Sequence, residues 1–413
     1  VTGVKDARNN WTTFAYDDAG RRVNIFDANG SRTTTLYDKA GNATVTIDVL
    51  DQRATYLFDA LNRNTVTIDA LGNRTTKMFD AVGNLTALKD ASNNLTTFGY
   101  DAANRKIRET DPLGEFATFT YDAVGLLTST TDRLGRRRDF TYTNRNELSG
   151  VQWYNANGDP TEQYSYYYSP TGKLYTEATR YVYETYTYTF LYDALDRATS
   201  VTQYGKTVTM AYDNVGNRTL FQTEMGRTTY TYDAANNLSR TEFASTGYPT
   251  LRADFAYNAN NMLENVTRYS DLAGSTKVAY STYLYDTLNR ITSQYDRKGN
   301  DDSVLASYLY SYDIASRITS QTINGATNTF AYDTTNQLTG DGTTNVTYDA
   351  TGNRNNGSNT VGAGNRLTND GIYTYTYDKE GNLTKKSKAT NDETWTYEYN
   401  NHNQLIRVEK RAT

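Results

Sequence analysis

From Tyr16 onward an aromatic residue followed by a turn phrase recurs every 21 residues: Tyr16, Tyr37, Phe58, Phe79, Tyr100, Tyr121 and Tyr142. The series continues at Tyr168, Tyr192, Tyr212, Tyr232, Tyr257, Tyr285, Tyr312, Tyr332, Tyr348, Tyr377 and Tyr399, with steps of 16 to 29 residues and 18 units in all. Typical copies read FDAVGNLT from Phe79, AYDNVGNRT from Ala211 and YDKEGNLT from Tyr377. The length of 413 residues would by itself suggest two or three ordinary domains. Repetition at this period points instead to stacked copies of one small supersecondary unit, each burying its neighbour.

Inside a unit the chemistry is that of a tight turn. The fourth residue after the opening aromatic is Gly at Gly20, Gly41, Gly83, Gly125, Gly172, Gly216, Gly352 and Gly381. It is Asn at eight further units, Asp at Asp196 and Ser only at Ser316, so 17 of 18 tolerate positive φ. The Asp three residues earlier suits the first position of a type I turn, where its carboxylate bonds the backbone ahead. A type I turn followed by a left-handed residue is the three-residue hairpin loop with a bulge. Gly20, Gly41, Gly83, Gly125, Gly216, Gly352 and Gly381 are therefore expected to be structural turn residues.

A second tip lies half a period on, as in Asp27-Ala28-Asn29-Gly30, Asp111-Pro112-Leu113-Gly114 and Asp132-Arg133-Leu134-Gly135. Pro112, and Pro170 in a tip of the first kind, occupy the position where a fixed φ fits. Three intervals are 20 residues long, and their second tips read Tyr204-Gly205, Met225-Gly226 and Asn324-Gly325. Those pairs resemble two-residue type I′ or II′ loops, which accounts for the missing residue. Between tips, runs such as Thr229-Tyr230-Thr231-Tyr232 alternate with period two. The 38 Tyr, against 13 Phe, 3 Trp and 4 Pro, make this a strand-forming composition. The expected fold is all-β: a continuous antiparallel array of β-hairpins, roughly 36 strands, with a tyrosine ladder on one face and mostly Thr and charge on the other. A sheet that long must coil, giving a spiral, hollow shell. The array covers 1–413 as one body, regular over about 1–142 and irregular over about 143–413.

The Tyr-Asp phrase followed by A-x-G-N-R/L-T, in 18 registered copies over essentially the whole chain, resembles the tyrosine-aspartate repeats of the rearrangement-hotspot (RHS) family. That family includes bacterial polymorphic toxins, C subunits of insecticidal toxin complexes and teneurins. The resemblance implies a β-shell that encapsulates or presents a C-terminal toxin domain of the same polypeptide, secreted or at the bacterial cell surface. Toxin-bearing members carry a core segment rich in Tyr-Asp-Pro and Asp-Pro-x-Gly after the repeats, and nothing here matches it. The stretch Gly362-Ala363-Gly364-Asn365-Arg366-Leu367 resembles the part that precedes such a core. The expectation is thus a fragment of a longer protein, without its payload.

Chemistry beyond turns is sparse in the sequence. The one His, His402, sits in the tip Asn400-Asn401-His402-Asn403 and reads as a solvated turn residue rather than part of a triad. Turn position accounts for the many Asp, and no calcium-loop pattern is present, so no metal, cofactor or catalytic residue is assigned. A net charge of -5 and pI near 5.2, unsegregated, argue against nucleic acid. Mean hydropathy of -0.75 and the lack of a long apolar run argue against membrane insertion by this segment. Zero Cys leaves the redox compartment open. Asn-x-Thr triplets such as Asn84-Leu85-Thr86 are by-products of the turn phrase. The Tyr-dense stretch 164–192 offers Tyr166, Tyr168, Tyr186 and Tyr188 as aromatic binding candidates, set against ordinary cross-strand packing. The rival to a non-enzymatic toxin shell is an extracellular adhesin or scaffold that binds glycans or other surface proteins.

Overall fold

The computed structural model describes residues 2–181, 184–355, 357–388 and 393–411. Among them lie 38 strands and one 3-10 turn, Ala363–Asn365. A 30-stranded sheet takes the strands from Gly3–Lys5 to Ala326–Thr329. A two-stranded sheet and a six-stranded sheet, Thr360–Gly362 to Leu405–Arg411, follow. Pairing runs between sequence neighbours: Trp11–Tyr16 with Arg22–Phe26, then Arg22–Phe26 with Arg32–Tyr37, all antiparallel. Such a meander needs only hairpin connections, which is what a chain with two turn phrases per unit can supply.

The tips have the expected geometry. The Asp17 amide donates to the Arg21 carbonyl at 3.0 Å, and the Gly20 amide to the Asp17 carbonyl at 2.9 Å. Ala15 faces Asn24 while Tyr16 faces Arg22, so one residue is bulged at the opening aromatic. All 18 fourth positions have positive φ, including Ser316 at 64°. The Ser exception is one of residue type, with the same backbone. Tyr204–Gly205 and Asn324–Gly325 have positive φ at both residues, as type I′ requires. The third two-residue loop differs: Thr223 pairs with Gly226, so the loop is Glu224-Met225 and Gly226 belongs to the strand. A Cβ on Gly226 would stand 2.7 Å from the Ala244 carbonyl, and close strand approach explains this glycine.

The faces are less unlike than alternation suggests. Opening aromatics share one face, but the other carries Leu36, Leu57 and Met78 as well as Thr, each 43–48% exposed. Neighbours in the sheet bury some side chains: Val45, across from Leu36 and Thr55, is 5% exposed. Val66 and Ala87 are buried likewise, at 5% and 6% exposed.

The chain forms two compact units, 1–55 with 189–345 and 56–188 with 346–413. Each joins segments far apart in sequence. In the first, Arg8 Nη1 donates to the Asp286 carbonyl at 2.9 Å, and Thr287 Oγ1 to Asn29 Oδ1 at 2.8 Å. In the second, Arg136 Nη1 donates to the Asn400 carbonyl at 3.0 Å, and Ser92 Oγ lies 3.1 Å from Thr351 Oγ1. Both seams follow one rule: a second-kind tip of the earlier segment meets a first-kind tip of the later one.

Candidate functional site

The tips do more than reverse the chain. Asp17 Oδ1 accepts from the amides of Ala19 and Arg21 at 3.1 and 2.9 Å, while Oδ2 takes Arg21 Nε at 2.8 Å. The same guanidinium reaches the next unit: Nη1 donates to the Asp38 carbonyl at 2.9 Å, and the group lies 4.8 Å from the Tyr37 ring centroid. Arg63 on Phe79, Arg105 on Tyr121 and Arg197 on Tyr212 repeat that stacking at 4.8 Å. The opening Tyr closes the circuit backward, with Tyr37 Oη donating to the Arg22 carbonyl at 3.0 Å and Tyr121 Oη to the Lys106 carbonyl at 2.9 Å. The hydroxyl thus satisfies a carbonyl beside the previous bulge, which is why Tyr outnumbers Phe at these positions.

Where the fifth residue is Asn instead of Arg, the acceptor changes with it. Asn84 Nδ2 binds Asp80 Oδ2 and then Asn104 Oδ1, both at 2.9 Å. Asn237 reaches Asn261 at 3.1 Å and Asn382 reaches Asn403 at 2.9 Å. The left-handed Asn of one tip is therefore the acceptor for the previous tip's amide. Sequence reading of single tips misses this link, although the signal is in the sequence: Asn84 before Asn104, Asn217 before Asn236, Asn237 before Asn261.

Charge is tuned by the same bonds. The carboxyls of Asp17 and Asp38 lie below the ordinary aspartate range, held there first by the side chains of Arg21 and Asn42. Asp6 is lowered to about 2 although burial opposes the shift, because Asn10, Asn260 and the Arg8 amide all donate to it. Tyr142 and Tyr168 are pushed up by burial and by Asp122 and Glu147 respectively.

His402 is not a solvated turn residue. Its Nε2 lies 2.6 Å from Glu162 Oε2, and its ring is 4.0 Å from that of Trp153, centroid to centroid. Tyr164 Oη stands 3.4 Å from the same nitrogen. Burial, then Glu162, raises the Tyr164 hydroxyl. The sequence reading failed because Glu162 lies 240 residues from His402.

Of the aromatic candidates, Tyr168 donates to the Leu148 carbonyl at 2.8 Å and belongs to the ladder. Tyr166 faces Glu177 across the strand pair. Tyr186 bonds Glu184 and meets Tyr181 edge-on at 5.5 Å, and Tyr188 is half-buried in the strand Thr185–Tyr192. Positions 182 and 183 of this stretch lie outside the described residues. None of the four lines the adjacent groove of about 310 Å³, which is formed by Gln152, Pro160, Thr161, Glu162, Gln163, Arg180 and Tyr181. Among the described residues no cluster of three or more His, Cys, Asp or Glu could hold a metal ion. Among the described residues no helix is long and apolar enough to cross a membrane.

Residues 79–115 and 121–152 match the RHS repeat. No curated protein matches the chain by sequence. Among solved structures, TcdB2-TccC3 is similar over 98% of this chain at 15% identity with a TM-score of 0.58. TcdB2-TccC3 without the hypervariable C-terminal region matches at 14% identity with a TM-score of 0.59. The Tc holotoxin pore of Photorhabdus luminescens matches over 97% of this chain at 16% identity, with a TM-score of 0.58. The chain spans about a quarter of the length of these structures. They share its fold, an all-β array of antiparallel hairpins.

Proposed function

We propose that this chain of RHS repeats is a non-enzymatic wall segment of a secreted or surface-exposed bacterial shell, one that sequesters a toxin domain carried C-terminally on the same polypeptide. The observation that supports this reading most directly is the 30-stranded antiparallel sheet that takes the strands from Gly3–Lys5 to Ala326–Thr329, with neighbouring tips bonded by the Asp, Arg, Asn and Tyr circuit. A wall of this build gains its stability from nearest-neighbour contacts and needs no solid core, which suits enclosure. The repeat match and the similarity to structures containing TccC3 support the same reading. The test is a fusion of a protease-sensitive reporter to the C-terminal side of the chain, imaged by electron microscopy and challenged with protease. A hollow particle with protected reporter is the expected result. A solid particle, or a reporter cut as fast as when free, overturns the proposal.

A second reading, a scaffold that binds glycans, is favoured by the polar groove that sets Glu162, Gln163 and Arg180 beside the exposed ring of Tyr181. Rigid aromatics with convergent polar groups suit a hydroxyl-rich ligand. A glycan array reads it out: signal abolished by Tyr181→Ala supports it, and a blank array removes it.

A further inference from the structure

In four of the later units the third residue after the opening aromatic bonds to an earlier segment within its own compact unit. Asn260 Nδ2 donates to Asp6 Oδ2 at 2.9 Å, and Thr351 Oγ1 is 3.1 Å from Ser92 Oγ. Glu380 Oε1 accepts the Arg133 amide at 2.5 Å, and His402 meets Glu162 at 2.6 Å. Every one of these contacts is polar. The same position in earlier units reads Leu61, Val82, Ala103 and Val124. Leu61, Val82 and Val124 are 65%, 71% and 73% exposed. Nothing about a turn demands an aliphatic residue there, since Asp and Asn dominate exposed tips generally. A row of outward aliphatics at a position whose structural task elsewhere is contact marks an interface.

We propose that this row is a docking rim for a second copy of this chain, stacked head to tail. The pairing rule of the existing seams argues for this occupant. Within each unit the first-kind tips of the later segment are met by second-kind tips of the earlier one, so a second-kind rim is the surface that fits a free first-kind row. The chain presents one with matching chemistry at the second-kind tips of residues 223–226 and 244–251, where Met225 and Tyr248 are 63% and 56% exposed. The two rims are different surfaces, so the contact is heterologous and does not saturate at a dimer.

Sedimentation and light scattering of the 413-residue chain test this. The mass is expected to rise with concentration above the 46.5 kDa of a single copy. Val82→Asp with Val124→Asp should return it to one copy, and so should Met225→Asp with Tyr248→Asp. Mixing the two variants should give a one-to-one dimer that grows no further, because one good rim of each kind remains. All four positions are exposed, and circular dichroism checks that the sheet survives. Should the aspartates disturb it, Val82→Ser with Val124→Ser serves instead. A single-copy mass at every soluble concentration overturns the proposal. So does association of the Met225, Tyr248 variant at the wild-type level, which would mean like rims pairing with like.

Discussion

Gly216 stands at φ 101° with nothing within 4 Å of where a Cβ would sit, so only backbone conformation opposes a side chain there. Gly216→Val should cost roughly 1–2 kcal/mol, and a chemical denaturation midpoint that does not move would contradict the tip assignment. Ser316 presents the opposite case: it holds the left-handed conformation at φ 64° without being Gly, Asn or Asp. Its hydroxyl accepts Arg290 Nη1 at 3.1 Å. Ser316→Asn keeps an acceptor and relieves the backbone, and should stabilise by a few tenths to about 1 kcal/mol, less the cost of any poorer bond to Arg290. Tyr312→Phe removes the 2.7 Å bond to the Ile291 carbonyl and should cost about 0.5–1.5 kcal/mol in the same assay. At this scale the sequence was legible. Residue types that tolerate positive φ appear at nearly every tip; type alone misled at Ser316, which takes the same backbone, and at Gly226, which belongs to a strand.

The hairpin is the element, and its Asp ties turn to strand. Folded-state carboxyls such as Asp17, Asp38 and Asp6 are depressed relative to the unfolded chain, where an Asp titrates near 4. Their contribution to stability is therefore present in full above about pH 4 and is lost as pH falls through the folded values, which for Asp6 is about 2. The sheet should lose its strand signal in circular dichroism between those limits, while Asp17→Asn should flatten the acid limb. Links between hairpins were legible only in part. The tyrosine column is plain from alternation, but that its hydroxyls cap the preceding bulge follows from three-dimensional proximity of Tyr37 to Arg22. A double-mutant cycle on Asn217 and Asn236, whose side chains meet at 3.3 Å, should show coupling of about 0.5 kcal/mol or more.

At the scale of the whole molecule, the seams decide what the repeats build. In the second unit Arg133, 20% exposed, is ringed by Glu109 at 3.1 Å, Glu380 at 3.5 Å and Asp111 at 3.7 Å. Removing it leaves Glu109 to Lys106 and Asp111 to Arg366, with Glu380 losing this cation, and Arg133→Ala should cost about 1–2 kcal/mol in low salt. The loss should shrink as ionic strength rises, because screening weakens the ion pairs that are lost; a salt-independent loss would point to packing instead. None of this was legible in the tip Asp132-Arg133-Leu134-Gly135, which looks like its sisters. The partner Glu380 lies 247 residues away, and no local pattern reports a contact at that distance.

The sequence by itself determined the strands, the hairpin loops and the face of the tyrosines, because these follow from φ preferences and period-two alternation within a few residues. The link from one Asn tip to the next was missed, because its spacing varies from 19 to 24 residues and shows as a pattern only once the tips are placed side by side. The tertiary structure alone decided which tips meet at the seams and therefore that His402 rests on Glu162 and Trp153 rather than in solvent. Repeats that are nearly identical cannot encode which distant copy they will touch. That choice is set by the accumulated twist and bend of many strands, a sum in which no single residue is decisive.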